Sequence, residues 1–174
     1  MTTEKGAQLA QGIRATVAEF RSICSEVDEA EAGRAPAGRW SPKEIVSHVA
    51  GPDKSGLLPL LEMFTAADTP RIELVPEQTY MTQARRAMPF AQIAALAAQR
   101  YEEVARYAEG LEAEQFDRKA HVPVLKESPL GEFPTLEAMI GGLGQHHLKM
   151  HTEHLREVLA ALKAQQPTAP SAAS

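Results

Sequence analysis

The chain has 174 residues, 44% of them apolar but only 5% aromatic, and its 18 Lys+Arg against 23 Asp+Glu give a net charge of −5. That length suits one domain with a sizeable core, while the acidic balance and the lack of any long basic run argue against a nucleic-acid partner. No stretch is apolar enough for a membrane span or a signal segment, and the lone Cys24 leaves no internal disulfide, so the expectation is a cytoplasmic globular protein with no membrane partner.

Leu9, Ile13, Val17, Phe20, Cys24 and Val27 recur at spacings of three and four, which predicts a first helix with one buried face. Cys24 lies on that face and reads as a small buried apolar residue rather than a reactive thiol. Residues 30–39, rich in Ala, Gly, Arg and Pro, read as a connection. Trp40-Ser41-Pro42-Lys43-Glu44-Ile45 is then a helix start: Ser41 caps, Pro42 takes the first helical position, and Glu44 completes a capping box. Trp40 can pack on Ile45 as a hydrophobic staple. Ile45, His48 and Val49 share one face, so His48 points inward.

Gly51-Pro52 breaks or kinks this second helix, which resumes through Leu57-Leu58-Pro59-Leu60-Leu61 to about Phe64. Residues 66–88 show no steady period and contain Pro70 and Pro76. A connection that long crosses the body of the fold or shapes a site. Pro89 opens the third helix, with Phe90, Ile93, Ala97, Val104 and Leu111 near one face and an end near Gly110. Residues 117–134, with Pro123, Pro129, Gly131 and Pro134, form another loop. Thr135 caps a last helix predicted to run unbroken to Lys163, with Leu136, Ile140, Leu143, His147, His151, His154, Val158 and Leu162 on its inner face. No segment alternates with a period of two. The expected architecture is an all-α four-helix bundle with a long crossover between helices 2 and 3, a single domain over residues 1–164, and a disordered tail over 165–174.

Four of the six histidines, His146, His147, His151 and His154, fall within nine residues of the last helix. One buried histidine is ordinary if both ring nitrogens find partners. Three on one apolar stripe would each need a buried partner, and an unsatisfied polar group costs about 1–3 kcal/mol. One shared metal ion satisfies several at once. Residues four apart on a helix sit one above the other, so His147 with His151 is the better pair for one ion. His151 with His154 is the alternative. His147 and His154, about 10 Å apart along the axis, cannot easily share an ion. His146 lies off the stripe. A third ligand must come from elsewhere, and the inward His48 is the natural candidate. His121, in a loop, reads as a surface residue or a group behind the ligands.

Trp40-Ser41-Pro42-Lys43-Glu44-Ile45-Val46-Ser47-His48 and His147-Leu148-Lys149-Met150-His151-Thr152-Glu153-His154-Leu155-Arg156 together resemble the DinB-like (DinB/YfiT-like) superfamily of metal-binding four-helix bundles. The first matches that family's start of the second helix, the second its histidine-x-x-x-histidine pair, and the helix order fits over residues 5–163. The resemblance implies a metal triad of His48, His147 and His151 holding zinc or nickel, with open positions, and a homodimer. Two positions depart from the pattern: Gly51-Pro52 interrupts the helix after His48, and His154 stands where a glutamine is common, making it an alternative ligand or a neighbour behind the ligands.

An ion held by three neutral imidazoles keeps its full charge and lowers the pKa of a bound water or thiol. The resemblance therefore implies either transfer of a low-molecular-weight thiol to a small-molecule substrate, the reading favoured here, or hydrolysis of a small substrate. The non-enzymatic alternative is a metal-binding or stress-associated dimer. Asp53, just over one turn past His48, and Glu153, beside the site, are candidate general bases, although a solvated carboxylate is the simpler reading of each. Arg71, Arg85 and Arg86 could hold an anionic substrate, although ordinary surface charge is again simpler.

Overall fold

The computed structural model describes residues 2–165, and all of the regular structure there is helical. Helix α1 spans Glu4–Cys24, with the Thr3 hydroxyl accepting from the Gly6 amide at its start. Its buried face takes in Ile13, Val17, Phe20 and Cys24, as the spacing predicts, together with Ala10 and Ile23, while the expected Leu9 is only partly buried. Val27 lies past its end. A four-residue helix, α2 (Glu29–Ala32), occupies the start of the segment expected to be irregular. Asp28 caps it, and Ala32 anchors it in the core.

Helix α3 (Pro42–Ala50) begins as expected. The Ser41 hydroxyl accepts from the Glu44 amide, and the Glu44 carboxylate accepts from the Ser41 amide. It stops at Gly51, whose φ of +75° is left-handed and whose Cβ, if present, would lie 2.7 Å from Leu57 Cδ2. Only glycine fits there without strain. The chain turns and resumes as α4 (Leu58–Ala66).

The crossover follows. It is tied to the 117–134 loop by paired backbone bonds, Ile72 N–H to His121 O and His121 N–H to Pro70 O, with Ile72 buried beneath. It is less irregular than the sequence suggests, because it ends in a short helix, α5 (Gln83–Ala87), capped by Thr82. Helix α6 (Phe90–Gly110) buries Phe90, Ile93, Ala97, Tyr101, Val104 and Ala108. After two 3-10 turns (Ala113–Asp117 and Pro123–Leu125), Thr135 caps α7 (Leu136–Gly141).

The last helix departs from the predicted unbroken run. Between α7 and α8 (Leu148–Ala164) lies a π-helical turn, Gly142–His147. Glycines weaken α-helical preference, and Gly141, Gly142 and Gly144 cluster at this point. Gly144 also lets the turn press on α1, since a Cβ there would fall 2.4 Å from Ile13 Cγ1.

α1 packs on α6 and α8, and α3 packs on α6 and α8. With α3 and α4 counted as one broken helix, and α7, the π turn and α8 as another, the result is a four-helix bundle with a long crossover between its second and third members. No helix among the described residues is long and apolar enough to cross a membrane. The expected tail lies, from residue 166 on, outside the described residues.

Candidate metal site

The capping box fixes where α3 starts, and His48 follows two turns later, near the helix end. The π turn ends at His147, and His151 follows one α-helical turn on. Among the described residues, these three alone form a set of potential metal donors, with one nitrogen from each within 4.8 Å of the others. His48 Nε2 and His147 Nε2 stand 3.0 Å apart. Ligand bonds of about 2 Å at a tetrahedral centre put donor nitrogens about 3.3 Å apart, so this pair is close to the spacing an ion requires.

The outer ring nitrogens are held from behind. His48 Nδ1 lies 2.6 Å from the Gln78 carbonyl. A carbonyl only accepts, so Nδ1 carries the proton and Nε2 presents a lone pair. His147 Nδ1 lies 3.2 Å from the hydroxyl of Tyr101, a fully buried residue of α6 whose pKa burial raises. His151 is buried, and its Nδ1 has no partner. Burial holds the His147 pKa down to about 4, helped by repulsion from His48. Burial also holds His151 to about 3, with added repulsion from His147, His48 and His154. Both rings are therefore neutral near pH 7 and free to donate lone pairs. Converging imidazoles, two of them held neutral by burial and one with an orphaned buried nitrogen, are the donor set a divalent cation takes.

These residues form the floor of a cavity of about 700 Å³, walled by Gly38, Arg39, Trp40, Pro76, Glu77, Met150 and His154. The Trp40 ring stacks on His151 with centroids 6.5 Å apart and a 9° tilt, and lies 5.2 Å from His48 and 6.3 Å from His154. The residue read as a helix staple is thus also a wall of the site. His154 is half-buried with a lowered pKa, chiefly from burial. Its ring centroid is 5.9 Å from that of His151, and it stays outside the converging set. His146 is exposed. His121 sits in the crossover seam, between Glu132 at 2.9 Å and Arg71 at 3.3 Å, with Phe133 stacked on it.

Neither expected carboxylate lines the cavity. Asp53 accepts from Arg85 Nε at 3.2 Å and from the Thr82 hydroxyl at 3.2 Å, because the chain reversal at Gly51 turns it towards α5. Glu153 pairs with Arg156 on an exposed face of α8. Of the three arginines, Arg71 and Arg86 are exposed, but Arg85 is not surface charge at all. Its side chain is 0% exposed and holds Ser47, Gly51, Asp53 and Tyr80.

Sequence reasoning missed Tyr101, Gln78 and Glu77. Tyr101 was findable, as it lies four residues after Ala97 and three before Val104 on the buried stripe of α6. Gln78 acts through its backbone, and Glu77 sits in an aperiodic loop, so neither leaves a residue-type signal.

A family model described as the DinB superfamily matches residues 13–155. A solved structure, YfiT from Bacillus subtilis, is similar over 94% of this chain and 90% of its own, with a TM-score of 0.70 and 19% identity. It is described as "a probable metal-dependent hydrolase with an unusual four-helix bundle topology". At that identity the likeness shows the fold. No curated protein matches the sequence.

Proposed function

The chain belongs to the DinB superfamily, and from that membership and the geometry above we propose that it is a metal-dependent enzyme acting on a small molecule in the His48–His147–His151 cavity. One observation carries this reading: three histidines from two distant parts of the chain converge, two of them held neutral by burial, and one has a buried nitrogen with no protein partner. A divalent ion, zinc or nickel, held by them would supply a Lewis acid that favours the deprotonated form of a nucleophile. His48 and His147 would hold it through Nε2. The Gln78 carbonyl and the Tyr101 hydroxyl keep those nitrogens aimed inward.

The protein's other contributions are positional. Trp40, Pro76 and Met150 give the cavity apolar surface against which a substrate can pack. Glu77 is the one carboxylate among the lining residues. It takes the role expected of Asp53 or Glu153, accepting the proton that the nucleophile gives up.

Two nucleophiles suit the cavity. Water gives hydrolysis, which the description of YfiT supports by analogy. A low-molecular-weight thiol gives S-transfer, which the cavity size supports: a water occupies about 30 Å³, so about 700 Å³ has room for a co-substrate. Homodimerisation, as the family resemblance implies, is part of the same proposal.

Metal analysis of the purified protein, then titration of the metal-free form with zinc and with nickel, tests the first step. Failure to bind either ion overturns the reading. Metal-dependent consumption of a thiol with a model electrophile, against metal-dependent ester or amide cleavage without thiol, separates the two chemistries. Binding with neither rate leaves a non-catalytic metal-binding protein, and a monomeric mass at micromolar concentration removes the dimer.

A further inference from the structure

A buried guanidinium is expensive to desolvate and persists only where its hydrogen bonds are well made. Arg85 is the largest fully buried side chain among the described residues. From the short helix α5 the two N–H groups of its Nη1 are shared among four acceptors, the Gly51 carbonyl at 2.7 Å, the Ser47 carbonyl at 3.0 Å, the Ser47 hydroxyl at 3.1 Å and the Tyr80 carbonyl at 3.3 Å. Its Nε donates to Asp53, and Nη2 finds no protein partner. Ser47 immediately precedes His48, and Gly51 ends the same helix. Tyr80 lies two residues past Gln78, whose carbonyl accepts from His48 Nδ1. One side chain thus clamps both sides of the His48–Gln78 contact.

The crossover needs such a clamp. Glu77 and Tyr80, on either side of this contact, have φ of 59° and 51°. Non-glycine residues in that region cost about 1–2 kcal/mol each and hold it only where surrounding contacts over-determine it. The Tyr80 ring also stacks near His48, with centroids 6.3 Å apart and a 14° tilt. Without the Arg85 bond to its carbonyl, the strained 77–80 segment can relax, and the Gln78 carbonyl leaves His48.

We infer that Arg85 is a positioning residue that sets the tautomer of His48: by clamping the crossover to the end of α3 it keeps the proton on Nδ1 and the lone pair of Nε2 turned into the cavity. The consequence for metal rests on the function proposed above, but the tautomer does not.

The test is long-range ¹H–¹⁵N correlation of the imidazoles in ¹⁵N-labelled, metal-free protein at pH 8, with zinc affinity measured alongside. The wild type is expected to show His48 as the Nδ1–H form. Arg85→Met is expected to give a mixed or Nε2–H population and to weaken zinc binding about 10–100-fold, as loss of support behind a ligand does. Leu61→Ala, a core truncation away from the cavity, loses stability and keeps the tautomer. If Arg85→Met does not fold, Asp53→Asn, which loosens Arg85 from its other side, is expected to show the same change to a smaller extent. A folded Arg85→Met or Asp53→Asn protein with His48 still wholly Nδ1–H overturns the inference, as does equal loss in Leu61→Ala. A tautomer that responds to Arg85 in a wild type that binds no metal upholds the inference and removes the proposed function instead.

Discussion

His48 Nε2 and His147 Nε2 stand 3.0 Å apart although 99 positions separate them in the chain. With Nδ1 donating to the Gln78 carbonyl, His48 has only Nε2 left to accept at this contact. In the metal-free protein, His147 must therefore donate from Nε2 and accept from Tyr101 at Nδ1. To hold an ion, His147 would have to present a lone pair from Nε2, which would leave Nδ1 to donate to the Tyr101 hydroxyl.

Removing one member of the converging set should weaken metal binding by more than about 100-fold, beyond the 10–100-fold typical of changes behind a ligand. His48→Ala, His147→Ala and His151→Ala are each expected to show this in competition with a chromophoric chelator, and exposed His146→Ala is not. In the wild type, free zinc at 100 times its Kd should stabilise the fold by about 2.7 kcal/mol. For a chain of this size that is a Tm rise of about 5–10 °C, reversed by chelation.

Tyr101→Phe keeps the ring that fills the core and removes the hydroxyl behind His147. The expected result is zinc binding weaker by about 10-fold with a stability change of about 1 kcal/mol in the metal-free protein. Unchanged affinity would mean that the hydroxyl does not orient His147.

Acid should destabilise the metal-free protein earlier than carboxylate titration alone predicts. Folding holds His147 near 4 and His151 near 3, below the ordinary histidine value of 6.5. Below pH 6.5 the unfolded chain therefore binds protons that the folded chain refuses. The stability from these neutral rings is complete above pH 6.5 and is lost as the pH falls from there towards 4 and below, at up to about 1.4 kcal/mol per pH unit for each such proton. Urea midpoints at pH 7.5, 6 and 5 should show that slope, and His151→Leu should flatten it.

Gly144→Ala places a methyl where Ile13 Cγ1 already lies, 2.4 Å from the ideal Cβ. Overpacking of this kind costs about 1–3 kcal/mol. Because Gly144 lies within the π turn that ends at His147, the variant should lose zinc affinity as well as stability. Retained affinity in a destabilised protein would show that the turn is not needed to place His147.

Short-range chemistry made much of this legible. Ser41, Pro42 and Glu44 mark a helix start through contacts within one turn, and the α1 and α6 stripes follow from 3.6-residue periodicity. What was misread involves partners far away in sequence. Arg85 looked like surface charge because nothing near it in sequence shows that Ser47 and Gly51 supply acceptors for a buried guanidinium. Asp53 looked free to reach the site because nothing nearby shows that Arg85 and Thr82 would hold it. The π turn hid in a helical pattern because its glycines interrupt no apolar spacing, and the close approach of Gly144 to Ile13 on another helix leaves no mark in the sequence.

The sequence by itself determined the long helices of the bundle and the inward faces on which His48, His147 and His151 lie, because periodicity and capping depend on residues three or four apart. Only the tertiary structure decided which nitrogen each ring presents, what stands behind it and which carboxylate shares the cavity. Those depend on a backbone carbonyl, a buried hydroxyl and a clamped crossover, whose positions exist only once distant segments are packed together.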